Sequence, residues 1–185
     1  MGCARSESRP AARPIASSIA RGLRFAMTVD VDASSPGRIR PARPDDVAVI
    51  AAFNGAMALE TEGKRLDPDT LLAGVAAVFE RQDRGVYRVA EIDGEVVACL
   101  LVTYEWSDWR NANWWWLQSV YVLPAHRGKG LFARMYRELR AMAMATPGVC
   151  GLRLYVETEN RRAQAVYEQL GMVTESYRMY TEPFR

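Results

Sequence analysis

Histidine occurs once, at His126, and lysine twice, at Lys64 and Lys129. One histidine excludes zinc motifs of the HExxH kind, and any Ser-His-Asp or Cys-His system would have to pass through it. Cysteine is scarce as well. Cys3, Cys99 and Cys150 are odd in number and far apart, without metal or disulfide spacing, so a reducing compartment, the cytoplasm, is expected. No apolar run approaches the ~20 residues of a membrane-spanning helix. Neither sign of charge dominates. The net charge of +2 gives no electrostatic case for nucleic acid. A metal, a membrane and a nucleic acid are therefore not expected as partners.

What remains is ordinary globular material. The chain has 185 residues, 49% of them hydrophobic and 25% charged, enough for one domain with its own core. Residues 1–36 are rich in Arg, Ala, Ser and Pro, and Glu7 is the only acid before Asp30. They lack an apolar period and read as a disordered arm, or as a start placed too early with Met27 the true first residue. "MGCARS" fits the myristoylation pattern, and "ARPIASSIARGLRFA" is faintly like a transit peptide. The folded domain is expected over 37–185.

Apolar periodicity places a short strand near Ile39 and a helix capped by Asp45 that runs to about Leu59. "ETEGKRLD" breaks the pattern, and Asp67-Pro68 starts a second helix. Asp93-Gly94 between β-rich runs signals a hairpin. "WWWLQSVYVLP" is a third long strand, ended by Pro124. "RGKGLFARMYRELRAMA" follows as an amphipathic helix, "GLRLYVE" as a strand, and "NRRAQAVYEQLGM" as a helix capped by Asn160. "VTESYRMYTE" reads as a last strand. The order is β-α-α-β-β-β-α-β-α-β, an α/β (α+β) chain.

The junction "VYVLPAHRGKGLFARMY" carries the most chemistry. A strand ends, the chain turns through Gly128 and Gly130, and a helix begins. Free N–H groups and the helix dipole make such a start an anion site, and glycines let the backbone approach a phosphate. Arg127 and Lys129 add charge. The segment is neither a Walker A loop nor a dinucleotide fingerprint, because no GK[ST] follows and the third glycine is missing.

"VYVLPAHRGKGLF" resembles the acetyl-CoA signature of the GCN5-related N-acetyltransferases (GNAT family), Val-x-Pro-x-x-Arg-Gly-x-Gly. "LRLYVETENRRAQAVYEQLGM" resembles that family's next motif, Asn-x-x-Ala-x-x-x-Tyr before a Leu-Gly turn. The resemblance covers about residues 38–180. It implies a central mixed, mostly antiparallel sheet splayed at strands four and five, flanked by about four helices. It implies acetyl-CoA as cosubstrate, with its pyrophosphate on Arg127, Gly128, Lys129, Gly130 and Leu131. The pantetheine arm would pair with Val120, Tyr121 and Val122, beside Asn160. Tyr167 matches the tyrosine that protonates the departing thiolate. Phe132 departs from the small residue usual there, which puts cofactor affinity in doubt unless its ring turns to the core. Relatives often dimerise, so a homodimer is possible.

An acceptor amine must lose a proton before attacking a thioester. Relatives with a strand-four glutamate carry acids where this chain has Gln118 and Ser119. The candidate bases are therefore Glu105 and Asp108 at the junction of strands three and four, and Glu62, with Glu60 beside it, in the break between the first two helices. By alternation Trp114, Trp116, Gln118, Val120 and Val122 share one covered face. "WSDWRN" is unlike a plain turn. Trp106 and Trp109 are expected to wall an acceptor pocket, with Gln118 and Glu60 near the acceptor. The activity expected is transfer of acetyl to a small-molecule amine. The alternatives are a non-catalytic acyl-CoA-binding regulatory module and a peptide or protein N-acetyltransferase.

Overall fold

The computed structural model describes residues 37–184; the expected arm over 1–36 lies outside them. Five strands form one sheet in chain order: β1 (Arg38–Pro41), β2 (Val86–Ile92), β3 (Glu95–Ser107), β4 (Ala112–Val122) and β5 (Val149–Arg153). The first four are antiparallel neighbours, and β5 runs parallel to β4. The helices are α1 (Val47–Glu62), α2 (Pro68–Glu80), α3 (Leu131–Ala145) and α4 (Arg161–Gln169).

Local chemistry fixes most boundaries. Asp67 caps α2 by accepting from the Thr70 N–H at 2.8 Å, with Pro68 in the first turn. Asp93 (φ 51°) and Gly94 (φ 83°) turn the β2–β3 hairpin in the left-handed region, as a two-residue hairpin loop requires. Two helix boundaries differ from expectation. Pro44–Asp46 forms a single 3-10 turn, so α1 is entered through Asp46 rather than Asp45. The helix then continues past Leu59, which puts Glu60 and Glu62 in its last turn rather than in the break that follows.

The core has two layers. On one face of the sheet, Leu131, Met135 and Leu139 of α3 pack against Leu100, Val102, Trp115 and Leu117. On the other, Ile50 and Phe53 of α1 and Val75 of α2 cover Tyr87, Val89, Cys99 and Tyr121.

Simple alternation along β4 fails at Ser119. Cys99 pairs with Tyr121 and Leu101 with Gln118, so two steps along β3 match three along β4. The extra residue sits at Ser119, whose φ is 48°. Such a bulge reverses the facing of everything beyond it. Val120 and Val122 therefore pack with the α3 layer, like Leu117, while Tyr121 turns to α1. Trp114, Trp116 and Gln118 do not share a face with Val120 and Val122. The strand is also not covered on both sides throughout, because Trp115 is buried but Trp114 and Trp116 are only half-buried.

The expected last strand is absent. Residues 173–184 carry no regular structure, and Val173, Tyr177, Met179, Tyr180 and Phe184 are exposed. Their apolar positions break period two at Met179-Tyr180, so no single register buries them all.

A buried ion cluster ties β1 to the entry of α1. Arg40 donates to both oxygens of Asp46 at 2.7 and 3.0 Å, and its Nε donates to Glu91 at 2.7 Å. The Arg40 hydrogen bond, with the Arg43 N–H, holds the Asp46 carboxyl below the usual range against the opposing effect of burial. Its depressed pKa means that the pair stabilises the fold above the unfolded carboxylate pKa, ~3.9, and ceases to do so as pH falls through the folded value. Asp46→Ala leaves the buried Arg40 with Glu91 as its remaining counter-ion, and is expected to cost about 3 kcal/mol in urea melts at pH 7, with a smaller difference from wild type at acid pH.

Candidate active site

Beyond β4 a 3-10 turn, Pro124–His126, leads into the glycine loop and α3. Gly128 and Gly130 both have φ 74°, and Gly130 caps α3 with no side chain to accept from the first turn. The first intrahelical donor here is the Arg134 N–H, bonded to Gly130 O at 3.0 Å, so the Leu131, Phe132 and Ala133 N–H groups have no partner within the helix. A Cβ on Gly130 would meet nothing within 4 Å; glycine is needed for its backbone angle, not for space. Nearby stands a cation that the sequence reading missed. Arg162, in the first turn of α4, puts Nη2 3.7 Å from where a Cβ on Gly128 would lie. Among the described residues neither Lys129 nor Arg162 has an ion-pair partner. Unsatisfied amides and two free cations fit the diphosphate of acetyl-CoA.

Arg127 faces elsewhere. Its Nε donates to Val122 O at 2.7 Å, its Nη2 donates to Glu60 at 2.7 Å, and its guanidinium lies over the Tyr121 ring, 5.2 Å from the centroid. The Tyr121 hydroxyl donates to the other Glu60 oxygen at 2.8 Å. The Tyr121 hydroxyl, and then Arg127, hold the Glu60 carboxyl below its ordinary range. Glu60 and Arg127 thus brace the end of α1 against the end of β4.

Pairing between β4 and β5 runs only from Asn113 to Trp116 on β4 and from Val149 to Arg153 on β5. Among the described residues no strand lies beside that edge of β4 from Leu117 to Val122, so Val120, Tyr121 and Val122 lie on an open edge next to the anion loop. At the parting point sits a cluster that no motif announced. Trp116 and Arg153 are the last pair. Arg153 Nη1 donates to Glu105 Oε1 at 2.8 Å, and the Trp116 indole N–H donates to Glu105 Oε2. The Arg153 guanidinium stacks 4.2 Å from the Trp114 ring centroid, and Arg110 lies 4.9 Å from the same ring. Tyr155 approaches Trp116 at 6.1 Å. Gly151 leaves room for all this, since a Cβ there would lie 2.3 Å from the Trp114 ring. Gln118, next along the same face, donates to Thr103 at 2.7 Å.

The Phe132 ring turns inward. It meets the Tyr167 ring edge-on at 5.7 Å and Tyr136 at 6.3 Å, which leaves its N–H at the helix start. Burial raises the Tyr167 hydroxyl above its ordinary pKa. Asn160 caps α4, accepting from the Ala163 N–H at 3.1 Å.

The remaining acids and indoles stand apart. Glu62 pairs with Lys64 at 2.6 Å on the surface. Trp106 and Ser107 belong to β3, so only Asp108–Asn111 form the hairpin turn. Asp108 accepts from the Trp109 N–H at 2.9 Å. Trp109 is 85% exposed and Trp106 58%. From Ala112 to Ser119 the strand advances roughly 23 Å, so the hairpin tip is far from the bulge. Trp106 follows Glu105 in β3 and points to the opposite face. The structure therefore gathers Glu105, Gln118, Trp114 and Trp116 at the parting of the strands, but not Asp108, Trp109 or Trp106.

Known proteins agree with this architecture. The model of the acetyltransferase (GNAT) family matches residues 54–172, more than half of the chain. Phosphinothricin N-acetyltransferase of Streptomyces viridochromogenes is 30% identical over 138 residues, 74% of each chain. Thialysine N-epsilon-acetyltransferase of Bos taurus is 33% identical over 76 residues, 41% of this chain and 44% of that one. The crystal structure of a possible acetyltransferase from Clostridium difficile 630 shares 44% identity at a TM-score of 0.75, covering 82% of this chain and 99% of that one. The chain belongs to the acetyltransferase (GNAT) family, and its activity is acetyl-CoA-dependent N-acetyl transfer.

Proposed function

We propose that this chain transfers the acetyl group of acetyl-CoA to the amine of a small molecule by direct attack. The observation that carries this reading is the open edge of β4, flanked by the anion loop at one end and the Glu105–Trp116–Arg153 cluster at the other. Two relatives whose names specify small amine acceptors support it.

Acetyl-CoA supplies the thioester carbonyl that the amine attacks. The amides of Gly128, Gly130 and Leu131, with Lys129 and Arg162, hold its phosphates. Val120, Tyr121 and Val122 line its pantetheine arm, with Val122 O already taken by Arg127. An N–H beside the bulge, near Val120, receives the developing oxyanion. A lysine-like amine is neutral in on the order of one molecule in a thousand at pH 7, so a proton acceptor is needed. Of the four acids weighed, Glu105 is the one at the parting of β4 and β5, where it is paired with Arg153 and the Trp116 indole N–H. Glu60 braces the end of β4 with Tyr121 and Arg127, and Glu62 and Asp108 stand apart, on the surface and in the hairpin turn. One ammonium proton passes to Glu105 and on to solvent. The neutral amine attacks, the N–C bond forms and the C–S bond breaks. The Tyr167 hydroxyl donates its proton to the departing sulfur, and the second amine proton, lost as the amide forms, replaces the one Tyr167 gave.

The reading is tested by mixing the full chain with acetyl-CoA and a library of small amines and following free thiol. Amine-dependent thiol release is expected; none with any amine would overturn it. Tyr167→Phe is expected to lower kcat about tenfold, with little change in KM for acetyl-CoA, because thiolate leaves easily and the acid only assists. Gly130→Val forces a β-branched residue into the left-handed region, at ~1–2 kcal/mol, and is expected to weaken acetyl-CoA binding about tenfold by calorimetry.

A further inference from the structure

We infer that the acceptor is a zwitterion, an amine that carries its own carboxylate, read by the Glu105–Arg153 pair. This rests on the small-amine reading above and names the class of substrate for that site.

Glu105 on β3 and Arg153 on β5 reach toward each other across Trp116 on β4, where β4 and β5 part. Each is the other's principal counter-ion. The carboxylate is already oriented by the Trp116 indole N–H, and the guanidinium by stacking on Trp114. The walls are aromatic: Trp114, Trp116 and Tyr155. An anion alone would leave Glu105 opposing it, and a cation alone would leave Arg153 opposing it. A molecule bearing both charges meets each with its complement.

The guanidinium also has an unfilled edge. A guanidinium presents its N–H groups as a planar fork matched to two carboxylate oxygens. Arg153 Nη1 is taken by Glu105. Its Nε is buried without a hydrogen-bond partner, and Nη2 has only Glu175, at 3.7 Å. Glu175 belongs to the segment without regular structure and is itself half exposed. That distance is too long for a good charged hydrogen bond. Glu175 lies at the Nη2 end of that edge, and a substrate carboxylate completing the fork displaces it. The ammonium then faces Glu105, the group proposed to take its proton.

The test uses wild-type protein and matched acceptors: α-amino acids, their primary amides and their decarboxylated amines with the same side chain. Thiol release gives kcat/KM for each. The amino acids are expected to exceed both neutralised forms by on the order of tenfold or more. Arg153→Met is expected to abolish that preference while acetyl-CoA binding by calorimetry stays unchanged, and Arg153→Lys to restore part of it. Equal rates for amino acid and amine in wild type, or a preference that survives Arg153→Met, would overturn the inference. The wild-type comparison needs no variant to fold. Acetyl-CoA binding without thiol release to any acceptor would overturn the small-amine reading itself, and this one with it.

Discussion

The one extra residue in β4, at Ser119, governs the rest of the site. Before it, Trp115 and Leu117 bury against α3 while Trp114, Trp116 and Gln118 face the other way. After it the facing reverses, so Val120 and Val122 join the α3 layer and Tyr121 turns to α1. One strand thereby presents two different surfaces. Its first half presents an aromatic and ionic platform, and its second half presents an open edge beside the anion loop. Among the described residues no strand lies beside β4 beyond Trp116 on the β5 side, although β5 pairs with it up to that point.

Interactions on either side of that edge hold its two ends. Glu60 and Arg127 fasten the last turn of α1 to the end of β4. This places a charge that the motif assigns to phosphate in an ion pair with Glu60, while Arg162 of α4 lies beside Gly128. On the α3 side, Phe132 occupies the space between α3 and Tyr167. A bulky residue where small ones are usual is compatible with cofactor binding because its ring turns inward and leaves the helix amides free.

The elements with local signatures were legible in the sequence: the Asp67 cap, the Asp93-Gly94 hairpin, the glycine loop, and the helices with clear apolar stripes. Those depending on register were not. Alternation along β4 misplaced Val120 and Val122 because a bulge leaves no mark in composition. The segment from Val173 to Glu182 has a strand-like composition because aromatic and β-branched residues are common in it, yet its apolar positions change phase at Met179-Tyr180. Arg153 and Tyr155 sat unremarked in a plain strand pattern, because only sheet pairing brings them to Trp116 and Glu105. Trp106 and Trp109 stand out by residue type, but Trp106 points to the face opposite Glu105 and Trp109 is 85% exposed in the hairpin turn. The sequence pattern puts Glu60 and Glu62 in a break because α1 continues past its apolar stripe to Gly63, at φ 65°.

The most direct measurement is backbone hydrogen–deuterium exchange of the full chain with and without acetyl-CoA. Protection of the amides from Gly128 to Ala133 and along Val120–Val122 is expected, with no change at Asp108–Asn111. Protection confined to the hairpin tip, with the glycine loop unchanged, would contradict a cofactor site built on the bulge and the parted strands.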